Sequence, residues 1–226
     1  MAQRCLKCFR PLKSCYCPGI VPVETGVKFV FLMHPVEAYK QRTGTGRLAS
    51  LSLPGSEIII GRSFEDSRRV GELLSDPSFY PIVLYPGRGA GNAESAELRK
   101  ELSDRQLLIF LIDGTWIEAR KMMHRSPCLQ ELPRMTFIRN YRSRFSIKTQ
   151  PAEHCLSTIE SVYYLIRELQ ETGICDPAAD PEGLMTVFDR MVTFQDESRK
   201  KRFAANAAAS SDASAPSDSG VCASTD

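Results

Sequence analysis

Leu108-Ile109-Phe110-Leu111-Ile112-Asp113-Gly114-Thr115-Trp116-Ile117-Glu118-Ala119-Arg120-Lys121-Met122 joins an unbroken apolar run to an acid, a glycine and a threonine. The chain's only tryptophan follows, and then a pattern with helical spacing. The run is too short for a membrane span and reads as a buried strand. It stops at a carboxylate and turns tightly into a helix. Open parallel sheets hold ligands at that place, outside the carboxyl ends of their strands. A helix starting at Thr115 aims free backbone N–H groups at the same point. Asp113 there is suited to accepting a proton or holding a ligand. Equally, it is suited to capping the helix, the ordinary use of an aspartate in that position.

Outward from this stretch the chain alternates. Val27–Met33, Glu57–Gly61, Pro81–Tyr85, Leu107–Asp113 and Arg134–Ile138 are short aliphatic or β-branched runs bounded by turn residues. Helical patterns lie near Ser67–Leu74, Ala93–Leu102, Thr115–Arg125, Ser157–Gly173 and Pro181–Phe203. The alternation predicts an α/β fold with a mainly parallel sheet flanked by helices. Ile159, Val162, Tyr163, Ile166 and Leu169 form one face of the helix from Ser157, and Ser157 with Glu160 matches a capping box. Three parts are expected: a cysteine-rich segment over 1–24, an α/β domain over 25–203, and a disordered tail over 204–226. The tail is Ala, Ser, Asp and Gly, and buries too little apolar surface to order itself.

Cys5-x2-Cys8-x6-Cys15-x-Cys17 places four thiols within thirteen residues. That spacing suits tetrahedral Zn²⁺, and four thiolates fill its coordination, so the metal is expected to be structural. Cys128, Cys155 and Cys175 sit among apolar neighbours and read as small core or near-surface residues. Hydrophobic content of 42% and charged content of 25% are those of a soluble globular protein. No apolar run approaches the ~20 residues of a membrane helix. The first residues lead into cysteines and charges instead of a secretory signal, so the cytoplasm is the expected location.

Net charge is +2 but unevenly spread. Without residues 204–226 the chain has 29 basic and 24 acidic groups, a net +5. Arg134, Arg139, Arg142, Arg144 and Lys148 fall in a window with no acid, and Arg4, Lys7, Arg10 and Lys13 interleave with the cysteines. Phosphate backbones bind through such clusters, although a solvated face explains a dilute run as well. Arg42, Arg47 and Arg88, placed in loops expected to rim the site, join Arg142 and Arg144 as candidate RNA contacts. The cationic Arg199-Lys200-Lys201-Arg202 suits a helix C-terminus or RNA.

Further blocks accompany these. His34-Pro35-x-Glu37 follows the first strand, Thr43-Gly44-Thr45-Gly46-Arg47 lies close behind, Leu84-Tyr85-Pro86-Gly87 ends the third strand, and Leu156-Ser157-Thr158-Ile159-Glu160 opens a late helix. In order and spacing, from about Cys5 to Tyr164, the chain resembles the DTW-domain family of tRNA-uridine aminocarboxypropyltransferases, which are related to the SPOUT-like knotted transferases. It departs where such proteins usually carry Asn before the threonine of the second block: here that residue is Gly44.

The resemblance implies a SPOUT-like sheet that can be knotted, S-adenosylmethionine as donor substrate, and tRNA as partner. It implies no protein partner and no membrane. It also implies transfer of the 3-amino-3-carboxypropyl group to N3 of a uridine, with methylthioadenosine leaving. Asp113 is then the candidate base, its rival role being to steady the donor's sulfonium or ammonium. Thr115 and Trp116 are the other candidate catalytic residues, with Trp116 offering a flat face to adenine or uracil. Leu84, Tyr85, Pro86, Leu111, Gly114, Ser157 and Thr158 are candidate donor contacts together with Asp113, and Arg120 is the candidate fork for the donor carboxylate. His34 is a candidate on the substrate side, against an ordinary structural role. Two other readings stand beside this one: a SPOUT-type RNA methyltransferase, and a zinc-stabilised RNA-binding module without catalysis.

Overall fold

The computed structural model describes residues 3–39, 44–145 and 155–212. The strands are β1 (Lys28–Met33), β2 (Glu57–Ile60), β3 (Phe79–Leu84), β4 (Gln106–Asp113) and β5 (Arg134–Met135). They form one sheet in the order β2-β1-β4-β3-β5, and every pairing is parallel. The α/β expectation therefore holds. β4 lies at the centre, and its residues alternate between two cores. Leu107, Ile109 and Leu111 join Phe29, Phe31 and Ile82 on one face. Leu108 and Phe110 join Val30, Leu32 and Val83 on the other. A strand covered on both sides needs apolar residues at every position, which is why this segment is unbroken.

Helices cover both faces. α2 (Thr45–Ser52), α7 (Thr158–Glu171) and α8 (Glu182–Asp212) close the first core through Leu48, Ala49, Ile159, Val162, Ile166, Val187 and Phe188. α3 (Arg68–Ser75), α5 (Trp116–His124) and α6 (Pro127–Gln130) close the second through Val70, Leu73, Met122, Met123 and Leu129. α1 (Pro35–Tyr39) and α4 (Ala96–Glu101) are short. None of the described helices is long and apolar enough to cross a membrane.

Several boundaries differ from the sequence reading. Pro81 lies inside β3, which starts at Phe79. It is tolerated because β5 pairs only at Val83 and Leu84, leaving the Pro81 edge without a ladder partner on that side. α1 and α2 fall where the sequence suggested loops, so Arg47 is helical. The two glycines around Thr45 weaken helix propensity, and tertiary packing overrides it. The composition predicts disorder from Ala204, yet α8 continues to Asp212. The run of alanines there is strongly helix-forming. Arg42, Lys148 and the tail beyond Asp212 lie outside the described residues.

The cysteine-rich segment is not separate from the core. Tyr16 is 2% exposed and packs edge-on to Phe194 of α8, with ring centroids 6.4 Å apart. Tyr16 and Val23 belong to the same apolar cluster as Phe29 and Phe188.

On the edge strand, Glu57 bonds the Arg69 fork of α3 through both oxygens at 2.8 Å and Lys28 of β1 at 2.7 Å. Arg69, then Lys28, hold its carboxyl down at about 2 against the usual 4.5. A depressed carboxylate stabilises the fold above its unfolded pKa, and that stability is lost as pH falls from about 4.5 towards 2. Glu57→Gln should lower stability by about 1 kcal/mol at pH 7, because the pairs are partly exposed. Urea midpoints should show this difference closing below pH 3; a constant difference would refute the linkage.

Candidate active site

β1 runs out to β2 on one side, whereas β4 connects to β5 on the other, so the connections run to opposite sides from the boundary between β1 and β4. Parallel sheets open a crevice at that switch point. The last pair in register there is Met33 with Asp113, and the His34 N–H extends the ladder to the Asp113 carbonyl at 2.8 Å. Asp113 is 4% exposed. Thr158, the first residue of α7, donates its hydroxyl to Asp113 Oδ1 at 2.5 Å. Gly46, in the first turn of α2, lies against the same carboxylate, and a Cβ built on it would come 2.6 Å from the Asp113 carboxyl carbon. The acid is therefore gripped between the starts of two helices, where backbone dipoles favour negative charge.

Beside it lies a pocket of about 330 Å³, large enough for a small ligand. Leu84, Tyr85 and Pro86 supply one wall, and Leu111, Ile112 and Gly114 the floor. Trp116 and Ala119 of α5 close one side. Thr136, Phe137, Arg139, Asn140 and Tyr141 close another, with Leu156, Thr158 and Ser161 at the start of α7. Trp116 is 39% exposed, so this sole tryptophan is a pocket side chain and not core.

The sequence candidates divide accordingly. Leu84, Tyr85, Pro86, Leu111, Gly114, Trp116 and Thr158 meet on the pocket wall. Asp113 stands behind Thr158. Thr115 and Ser157 serve as helix caps. The Thr115 hydroxyl accepts the Glu118 N–H, and the Glu118 carboxylate accepts the Thr115 N–H at 2.8 Å. Ser157 and Glu160 make the matching box on α7. Arg120 is exposed on α5 and is not among the pocket residues. Arg120 follows Trp116 by one turn of α5, but its side chain stands in solvent. Glu118 lies 3.3 Å from His34 Nδ1, to which Val36 also donates its N–H. His34 is 9% exposed and closes the end of β1. Arg88, Arg142 and Arg144 are exposed, whereas Arg47 is half-buried on α2.

The Met135–Tyr141 wall escaped the sequence reading. Two buried acids of α7 fasten the loop that carries it. Glu168, 0% exposed, accepts the Ile138 and Arg139 N–H groups and the Tyr141 hydroxyl at 2.9–3.1 Å. Glu160, equally buried, accepts the Ser143 hydroxyl and the Arg144 N–H besides its capping bonds. Burial, then Glu168, pushes the Tyr141 hydroxyl up to about 12, and its ring stacks on Tyr164 at 3.9 Å. Arg139 is forked onto Glu171, so its charge is matched within the protein. The signal for these anchors was present: two acids along the apolar side of an amphipathic helix require donors from elsewhere in the chain.

The four cysteines also converge. Their Sγ atoms all lie within 4.8 Å of one another, with Cys5 to Cys17 at 3.7 Å and Cys8 to Cys15 at 3.6 Å. A tetrahedron with bonds of ~2.3 Å has edges of ~3.8 Å, so the donor set fits one metal ion. The same separations are far too long for disulfides, which need ~2.05 Å. Backbone N–H groups of Cys8 and Lys7 lower the Cys5 thiol to about 6, whereas burial raises Cys15 and Cys17. A bound cation favours the thiolate form at all four.

Comparison with known proteins follows the same outline. The DTW domain matches residues 2–196. A tRNA-uridine aminocarboxypropyltransferase 2 of Drosophila melanogaster is 32% identical over 175 residues, 74% of this chain and 67% of that protein. Proteins of the same name from Macaca fascicularis and Mus musculus are 29% and 30% identical, over 84% of this chain and 63% of theirs. The chain thus spans about two-thirds of the length of these curated relatives. No solved structure matches it. The matched span takes in the cysteine cluster, both blocks that grip Asp113 and the start of α8, and the chain belongs to the DTW domain family.

Proposed function

We propose that this chain transfers the 3-amino-3-carboxypropyl group of S-adenosylmethionine to N3 of a uridine in tRNA. The observation that carries the proposal is the pocket over the carboxyl ends of β3, β4 and β5, with a hydroxyl on its wall backed by a buried carboxylate. The names of the relatives support the same reading. The adenosine lies against Leu84–Pro86 and Trp116, and Gly114 admits the backbone close to it. Asn140, in place of Arg120, faces the donor's carboxylate, since the Arg139 fork is held by Glu171.

In the reaction N3 attacks the donor's Cγ. The N3–Cγ bond forms, the Cγ–S bond breaks, and its electron pair returns to sulfur as neutral methylthioadenosine leaves. The N3 proton passes to the Thr158 hydroxyl as that hydroxyl passes its own to Asp113. The sulfonium is a good leaving group, so alignment of the three reacting atoms is the main task, worth about 7–11 kcal/mol in favourable cases. Asp113 with Thr158 adds about 10²–10⁴-fold as the proton acceptor.

The cysteine cluster holds Zn²⁺ in this reading and supplies structure, since four thiolates leave the ion no open position. Four thiolate ligands need a reducing compartment to stay unoxidised, which the cytoplasm supplies.

The test uses two donors labelled separately, with unmodified tRNA. Label in the methionine carboxyl carbon should enter the tRNA, and label in the S-methyl should end in methylthioadenosine. Methyl label in the tRNA would make the chain a methyltransferase. Label in neither product would leave it an RNA-binding module.

A further inference from the structure

A second cleft, of about 550 Å³, opens between the cysteine cluster, the start of α2 and α8. Among the described residues, Arg4, Arg10, Lys13 and Arg47 line it, against one acid, Glu37, which is 8% exposed. Phe9 also lines it and is 51% exposed. The Arg47 guanidinium lies 4.6 Å from the Phe9 ring centroid. Phe9 has φ 57°, the only positive value of a non-glycine residue among those described. That conformation costs a bulky side chain ~1–2 kcal/mol, and a glycine would adopt it freely. The turn between Cys5 and Cys8 imposes it: the Phe9 N–H donates to the Cys5 carbonyl at 2.9 Å. The Arg47 contact takes one face of the ring, and the rest of this large aromatic stands half in water at a position that favours glycine.

We infer that this cleft binds a single-stranded segment of the tRNA next to the target uridine, with one base stacked on Phe9 and its phosphates on Arg4 and Lys13. Cationic grooves with an exposed aromatic platform are how proteins hold unpaired nucleotides. The position fits. Gly44 and Arg47 line the cleft, while Gly46 between them lies on Asp113. One turn of α2 therefore separates this cleft from the reacting carboxylate. A nucleotide stacked on Phe9 is a neighbour of one entering the pocket. The inference rests on the tRNA reading above, since it names how the same substrate is held.

Phe9→Gly separates stacking from folding, because it removes the ring and relieves the backbone. The melting temperature should stay within about 3 °C of wild type. Affinity for a tRNA transcript, measured by fluorescence anisotropy on the full metal-loaded chain, should fall about 5- to 150-fold. Arg4→Gln with Lys13→Gln should reduce the slope of log affinity against log salt by about 1.4. S-adenosylmethionine binding, measured by calorimetry, should be unchanged in both. Wild-type tRNA affinity and slope in these variants would overturn the inference and leave the proposed reaction standing. A wild-type chain that binds no tRNA would overturn both. Loss of stability in Phe9→Gly with unaltered affinity would make the ring a structural element, and also overturn the inference.

Discussion

Asp113→Asn should lower aminocarboxypropyl transfer by about 10²–10⁴-fold without unfolding the protein. The amide keeps the shape of the carboxylate, and its oxygen still accepts the Thr158 hydroxyl. What it loses is the ability to take a proton and the charge between two helix starts. Because uridine N3 ionises at alkaline pH, the variant should recover in part as pH rises. Thr158→Val should fail in the same way and Thr158→Ser should retain most activity, since only the hydroxyl carries the proton. Gly46→Ala tests the grip from the other side. Its methyl would overlap the carboxylate, and something must move. A displacement of 1 Å in an aligned site costs ~10²-fold, so a loss of that order is expected with little change in donor affinity. An Asp113→Asn protein that no longer binds the donor, and is inactive at every pH, would show instead that the acid holds the cofactor.

Cys8→Ser should abolish metal binding and lower stability by about 3 kcal/mol, roughly 6–12 °C at this chain length. Elemental analysis should find about one zinc per wild-type chain and much less in the variant. The effect reaches beyond the cluster because Tyr16, one residue after Cys15, is seated in the main core against Phe194. Cys128→Ser serves as the control. That thiol is half-buried, its pKa raised to about 11 by burial and then by Glu65, and it lies outside the cluster. The control should change stability little and leave the metal in place. Metal loss without a change in melting temperature would refute the structural role.

Features determined by near neighbours in the chain were legible in the sequence. The buried strand from Leu107, the turn at Asp113, the capping box at Ser157 and the four cysteines each complete their signal within a few turns of chain. Periodicity reports which face of an element is apolar, and both faces of β4 were apolar throughout. It does not report which elements meet. Thr158 reaches Asp113 across 45 residues, and Gly46 reaches it from α2, a helix whose glycines concealed it. By its place near the motif in sequence, Arg120 reads as the natural fork for a carboxylate. Its side chain stands in solvent, and the folded chain brings the loop of Arg139 and Asn140 to the pocket. That loop is held by Glu160 and Glu168, whose partners only the tertiary structure supplies. Sequence thus determined the elements and the chemistry at their ends. Packing decided which ends converge, because long-range contacts depend on sheet order and helix phase together, and no local pattern encodes both.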